Sequence, residues 1–191
     1  MNKAILTGLL IVAAAMLSVA QTFEIDIEAS SIEWTGSKVI GGGHNGSVNL
    51  QSSTLTRANG KVAAGNFTID MTSVEVLDLS GMKKGMLEGH LSSKDFFHTK
   101  KHETATLTIK SIDGKKITAD LSIKGITHPV EFNHELNQNA DGTLTATANI
   151  EVDRTKYDIK FRSNSYFDNL KDKAISDTIE FKVKLVVKNK S

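Results

Sequence analysis

The chain has 191 residues and a formal net charge of +1. That balance excludes a polyelectrolyte surface of the kind that binds DNA or RNA, so no nucleic-acid partner is expected. There is no cysteine, hence no disulfide and no lipid-modified thiol, and an exported chain of this kind must be held by its core alone.

Residues 1–20 read as an export leader. Lys3 gives a positive start, Ala4 to Leu17 is an almost unbroken apolar run, and Ser18-Val19-Ala20 ends it in small residues. Cleavage is expected before Gln21, leaving residues 21–191 as one domain. The run is too short to favour a spanning helix, which needs roughly 20 apolar residues, although an uncleaved anchor stays open as the alternative.

From Phe23 the pattern alternates, with Phe23, Ile25 and Ile27 opposite Glu24, Asp26 and Glu28, as a half-buried strand requires. Ser31 to Val39 continues with Ile32 and Trp34 aligned, and the glycines of Gly41-Gly42-Gly43-His44-Asn45-Gly46 permit a bend or bulge. Ser47 to Leu55 and Asn66 to Thr72 follow as strands, joined across the hairpin signal Ala58-Asn59-Gly60-Lys61. Leu79 to Leu91 is the single helix expected in the mature chain, with Ser80 as N-cap and Met82, Met86 and Leu87 on its packed side. Gly81, Gly85 and Gly89 weaken it, each by up to about 1 kcal/mol relative to Ala. Five further strands are expected: Thr104 to Ser111, Lys116 to Lys124, Val130 to Leu136, Thr143 to Asp153 and Thr178 to Lys188. Within Ser163 to Ser176, Tyr166, Phe167 and Leu170 are placed as anchors of a loop or one short helical turn.

About eight strands with tight turns make an all-β antiparallel meander, which either folds as a two-sheet sandwich or closes into a barrel. Small inward residues favour a hollow barrel: Ala105 beside Leu107 and Ile109, Ala119 beside Leu121 and Ile123, Ala146 and Ala148 beside Leu144 and Ile150. A sandwich core wants large side chains meeting across about 10 Å. In the filled alternative, those alanines sit opposite bulky partners such as Phe132 or Phe181.

Several sequence words, in this order, resemble the YceI-like family of exported lipid-binding proteins over nearly all of the mature chain, from about Glu24 to Val187. They are Ile32-Glu33-Trp34-Thr35-Gly36 with Gly43-His44-Asn45-Gly46; Asn66 to Ser73; Leu87-Glu88-Gly89-His90-Leu91 with Ser93-Lys94-Asp95-Phe96-Phe97; Leu121 to Val130; Val152 to Ile159; and a closing segment in Phe167-Asp168-Asn169-Leu170 and Ile175-Ser176-Asp177. The resemblance implies a lipocalin-like barrel in the bacterial periplasm that carries a polyisoprenoid or similar long-chain amphiphile. Where the family usually has a Tyr-Pro or similar pair before the strand at Thr104 this chain has His102-Glu103, and the family's common Phe in that strand is Leu107.

Gly85 to Leu107, with its adjoining Phe96-Phe97 pair, is expected to plug one end of the barrel. The candidate cavity lining is Trp34, Phe67, Met71, Met86, Phe96, Phe97, Leu107, Leu121, Phe132, Ile150 and Phe181, each pointed inward by strand alternation or by packing of the plug. The same residues serve equally as plain core. The candidate head-group rim is His44, His90, His98, Lys100, Lys101, His102 and Arg154, with Lys83 and Lys84 nearby, since cations there would receive an anionic head group. A solvated basic face, and for Arg154 an ion pair fixing a barrel corner, are the alternatives. His134 is expected as a satisfied buried histidine.

His98 and His102 stand four apart, but with no Cys and no third ligand no metal is expected. No cofactor is implied. The chain has no nucleophile elbow, thiol or phosphate-cradling loop, so it reads as a binding protein, not an enzyme. A lipid head-group enzyme at the His-rich rim and a ligand-free scaffold are the rivals. The oligomeric state stays open, a homodimer included.

Overall fold

Alternating apolar and polar residues give each strand one face that must leave water, and a meander of such strands buries all of those faces at once by curling round. The computed structural model describes residues 21–58 and 61–188, so the expected leader, residues 1–20, lies outside the described residues. Eight antiparallel strands follow one another: β1 (Gln21–Lys38), β2 (Gly43–Ala58), β3 (Lys61–Val76), β4 (Thr104–Asp113), β5 (Lys116–Ile123), β6 (Ile126–Gln138), β7 (Leu144–Asp153) and β8 (Ile175–Lys188). Each pairs with its neighbours in sequence and β8 returns to β1, closing the barrel. The sandwich alternative is excluded.

β1 is one strand with a bulge where the sequence pattern broke. Its register against β8 shifts between Asp26 and Ser31. There Asp26 accepts from Ala29 N (3.2 Å) and Ser30 Oγ (2.6 Å), and Ser30 Oγ in turn takes the Val186 N–H (3.0 Å). Side chains thus satisfy backbone groups that the bulge leaves out of the ladder. Residues 59 and 60 of the first hairpin lie outside the described residues, and Ala58 pairs Lys61 across them.

The connections divide between two ends. The hairpins β2–β3, β4–β5 and β6–β7 form one end, and everything longer gathers at the other, the capped end: the β1–β2 turn, the helix α1 (Gly81–Ser92) with the turn after it, the β5–β6 turn, and residues 154–174. α1 begins two residues later than the pattern predicted, and Ser80 occupies its N-cap without a side-chain bond. It is tied to β3 by Glu88, which accepts the Val76 N–H (3.0 Å), and by Lys84 against Glu75 (2.6 Å).

One seam differs from the others. β6 and β7 are registered only from His134↔Ala148 to Gln138↔Leu144. Toward the capped end the 3₁₀ turn Arg154–Tyr157 fills the space between them: His128 Nε2 donates to the Lys156 carbonyl (3.0 Å) and its ring stands edge-on to Tyr157 (5.3 Å).

The packed core is two clusters, one per end. The capped-end cluster includes Trp34, Val76, Phe96, Phe97 and Tyr157, and the hairpin-end cluster includes Ile25, Leu50, Leu55, Ile109 and Ala119. Ile69, Leu107, Phe132, Phe181 and Val183 touch both and are only partly buried.

Candidate functional site: a cavity along the barrel axis

Inward-facing side chains that remain partly accessible must border empty volume, and Leu107, Phe132, Ala148, Phe181 and Val183 all do so. The space they border is a cavity of about 790 Å³ that runs the length of the barrel. Three of the four inward alanines, Ala105, Ala146 and Ala148, line it; Ala119 does not and is fully buried in the hairpin-end cluster. The filled-barrel alternative therefore holds only around Ala119.

Of the expected lining, Trp34 on β1, Phe67 and Met71 on β3, Leu107 on β4, Leu121 on β5, Phe132 on β6, Ile150 on β7 and Phe181 on β8 face the cavity, as do Phe96 and Phe97 from the turn after α1. Met86 is a correction: it is 70 % exposed, as Met82 is at 82 %, because α1 turns Leu87, His90 and Leu91 inward instead. Lining residues that the sequence reading passed over include Leu91, Ile179, Val183 and Leu185. The alternation on β8 that selected Phe181 points to the last three equally well.

The plug forms as expected. Phe96 and Phe97 are 6 % and 8 % exposed, their rings meeting edge-on at 5.0 Å. Phe97 N donates to Leu91 O (3.0 Å) and His98 N to Ser93 O (2.8 Å), and His98 turns through a left-handed φ of 51°. That tight turn sends both phenylalanines to the cavity and their polar neighbours to the outside.

The expected rim consequently comes apart. His98, Lys100, Lys101 and His102 do not line the cavity; the two histidine rings pack edge-on at 5.8 Å on the outer side, and both lysines are exposed. His44, His90 and Arg154 do line it. His44 Nδ1 meets Asp78 Oδ2 at 2.8 Å, and its side chain is 42 % exposed, so the cavity reaches the surface beside it. Burial of Asp78 opposes ionisation, but the bonds from His44 and the Asn45 N–H outweigh it and its carboxyl stays below the usual range.

His90 carries the polar atom of most interest. Its Nε2 is buried and has no hydrogen-bond partner among the described residues. The ring is wedged against Phe161 (4.4 Å) and Phe96 (5.7 Å). Burial lowers its pKa, Arg162 adds to the effect and Asp95 opposes it, so the neutral imidazole is favoured there.

Arg154 is 1 % exposed and works as a structural clip. Its guanidinium donates to the carbonyls of Ile159 (2.7 Å), Ser176 (2.8 Å) and Ile175 (3.1 Å), with Asp177 at 3.5 Å. The corner it fixes is held mainly by backbone oxygens, the ion pair being secondary. In the segment beyond, Tyr166 and Phe167 are about half exposed and do not anchor it, contrary to expectation, whereas Leu170 is half-buried and caps the short 3₁₀ turn Lys171–Lys173; Ile159, Ser163 and Ala174 are fully buried.

At the hairpin end His134 also lines the cavity, donating to Lys115 O (2.9 Å) but only half-buried, and Leu136 there is 54 % exposed. Among the described residues no three His, Cys, Asp or Glu side chains gather as a metal site would need.

Comparison with known proteins gives the same architecture. A UPF0312 protein of Staphylococcus aureus (strain USA300) is 32% identical over 100 residues, 49% of this chain and 58% of that protein, so the match spans little more than half the length of these curated relatives. Burkholderia cenocepacia BcnA superposes with a TM-score of 0.66 at 21% identity, covering 85% of this chain and 99% of the other. A polyisoprenoid binding domain from Saccharophagus degradans, implicated in plant cell wall breakdown, gives 0.62 at 13% identity over 88% and 98%. At these identities the structural likeness is one of fold. The family model described as the YceI-like domain matches residues 23–187, from near the start of β1 to near the end of β8, and the chain therefore belongs to the YceI-like family.

Proposed function

We propose that this barrel sequesters or ferries one long-chain amphiphile, of polyisoprenoid type, with its hydrocarbon in the axial cavity and its polar head at the capped end. The observation that carries the reading is the continuous apolar cavity of about 790 Å³, walled by ten of the eleven side chains expected there. At roughly 0.8 kcal/mol per buried methylene, ten such groups contribute about 8 kcal/mol, near micromolar affinity before ordering costs. His90 Nε2, buried and without a partner among the described residues, gives the head group a hydrogen-bond partner, which explains a polar atom that is otherwise costly to bury. The polyisoprenoid binding domain of Saccharophagus degradans, whose fold this barrel resembles, favours an isoprenoid chain. The leader-like residues 1–20 favour a carrier working in the periplasm or outside the cell.

The test is native mass spectrometry of protein purified without detergent, followed by organic extraction of whatever it holds. A bound long-chain lipid is expected. No bound mass, together with no saturable uptake of a long-chain fluorescent probe, overturns the reading.

A further inference from the structure

The exposed apolar side chains are not scattered. Of the nine large hydrophobics exposed among the described residues, seven sit on connections at the capped end. They include Val39 and Ile40 on the β1–β2 turn, Met82 and Met86 on α1, and Tyr166 and Phe167 in the segment before β8. Single exposed hydrophobics are ordinary, whereas a cluster on one surface marks an interaction site.

These three pieces are neighbours. Val39 N donates to Ala174 O (2.9 Å), which joins the β1–β2 turn to the segment carrying Tyr166 and Phe167. Leu77 N donates to Asn45 O (3.0 Å), joining the start of β2, just past that turn, to the approach to α1, and the His90–Phe161 ring contact joins α1 to the third piece.

The charge is as uneven as the apolar surface. The four connections at this end, residues 39–42, 77–103, 124–125 and 154–174, hold twelve Lys and Arg against seven Asp and Glu, although the whole chain is only +1. Lys83 beside Met82, and Arg162, Lys171 and Lys173 on the segment that carries Tyr166 and Phe167, make no ion pair among the described residues, Arg162 lying over the Phe161 ring (5.1 Å). Apolar and aromatic tips on connections that also carry cations outside any ion pair match the two attractions of a peripheral membrane surface: insertion at the headgroup boundary and pull toward anionic lipid.

We infer that the capped end docks on an anionic bilayer. The cavity touches the surface at the same end beside His44, and Gly36, Ile175 and Ser176 line it beneath the same two loops. Docking therefore sets that opening against the lipid. The inference does not depend on the proposed cargo, because vesicle binding is read without any ligand.

The experiment is cosedimentation of the full chain with vesicles of phosphatidylcholine alone and of equal parts phosphatidylcholine and phosphatidylglycerol, at low and raised salt. Binding to the anionic vesicles only, weakened by salt, is expected. Each cation near an anionic leaflet contributes about fivefold. Lys171→Glu with Lys173→Glu, and separately Ile40→Ser with Phe167→Ser, should each weaken binding by about tenfold or more. Both pairs should keep the wild-type melting temperature and wild-type uptake of a long-chain probe, since none of the four residues lines the cavity. No vesicle binding, equal binding to neutral vesicles, or unchanged binding by both variants overturns the inference. So does sedimentation velocity showing that the Ile40/Phe167 pair splits a dimer, which would make this surface an interface between copies.

Discussion

The indole of Trp34 lies against the backbone of Gly46, its partner across the β1–β2 ladder. A Cβ at Gly46 would overlap the six-membered ring of Trp34 and the Glu75 carbonyl, one a bulky buried side chain and the other strand backbone. Neither can give way cheaply. Gly46→Ala is expected to cost about 2–4 kcal/mol in urea denaturation and to shift the emission of Trp34, the sole tryptophan. A neutral substitution with unchanged fluorescence would contradict this packing.

Ala148 borders the cavity on β7 opposite Val183 of β8. Ala148→Phe fills space that is empty in the free barrel, so the fold should survive with a stability change of about 1–3 kcal/mol. Uptake of a long-chain fluorescent probe should fall by at least about tenfold, as expected when several buried methylenes lose their place. Wild-type uptake would show that the chain does not pass this level.

Removing Arg154 leaves the buried Ile159 carbonyl and the part-buried carbonyls of Ile175 and Ser176 without their donor. Arg154→Met should cost about 3–5 kcal/mol, by analogy with breaking a buried charged network. Arg154→Lys should recover little, because one ammonium cannot reach Ile159, Ile175 and Ser176 as a forked guanidinium does. Chemical denaturation of the two variants separates geometry from charge.

Two groups, the half-buried His90 and the buried Tyr157, make stability depend on pH at opposite extremes. The folded-state pKa of His90 is depressed by its burial, so on acidification the unfolded chain takes up that proton first, near pH 6.5. The contribution is therefore present above about pH 6.5 and is lost as the pH falls toward the lower folded value. His90→Gln should flatten the acid side of the melting-temperature profile in that window.

Tyr157 is the reverse case. Burial, with Asp153 adding to it, raises its phenol to about 12. The unfolded chain loses that proton near pH 10, so the contribution is full below about pH 10 and is lost as the pH rises through about 12. Its hydroxyl is buried without a partner among the described residues, so Tyr157→Phe should be neutral or stabilising by up to about 1 kcal/mol. It should also remove the last step from a phenolate absorbance titration.

The strands were legible because their residues follow the period of two through most of β3, β4, β5 and β7, and the barrel was legible from small residues on inward faces. Ala119 shows the limit: its sequence context matches that of Ala105, yet only coordinates distinguish an alanine beside a void from one under a large neighbour. α1 was legible in place but not in orientation. With glycine at three positions its apolar residues lie on two faces, and whether Met86 or Leu91 faces inward is decided by how Glu88 and Lys84 tie the helix to β3. The rim was misread for a related reason. Lys100, Lys101, His98 and His102 are close to Phe96 and Phe97 in sequence, but a tight turn puts near neighbours on opposite sides of a wall, and proximity along the chain does not reveal which.

Where β6 and β7 part toward the capped end, the wall of the cylinder is made by side chains and a turn in place of paired strands. The unregistered stretch between β6 and β7 is closed by the turn Arg154–Tyr157, through His128 on the Lys156 carbonyl, the edge-on ring of Tyr157 and the Arg154 clip, none of them a strand-to-strand rung. Amide protons facing that stretch should exchange ahead of those on the β2–β3 and β1–β8 ladders. That seam is therefore only as firm as the two buried side chains of its turn, Arg154 and Tyr157, whereas the seams elsewhere rest on backbone rungs.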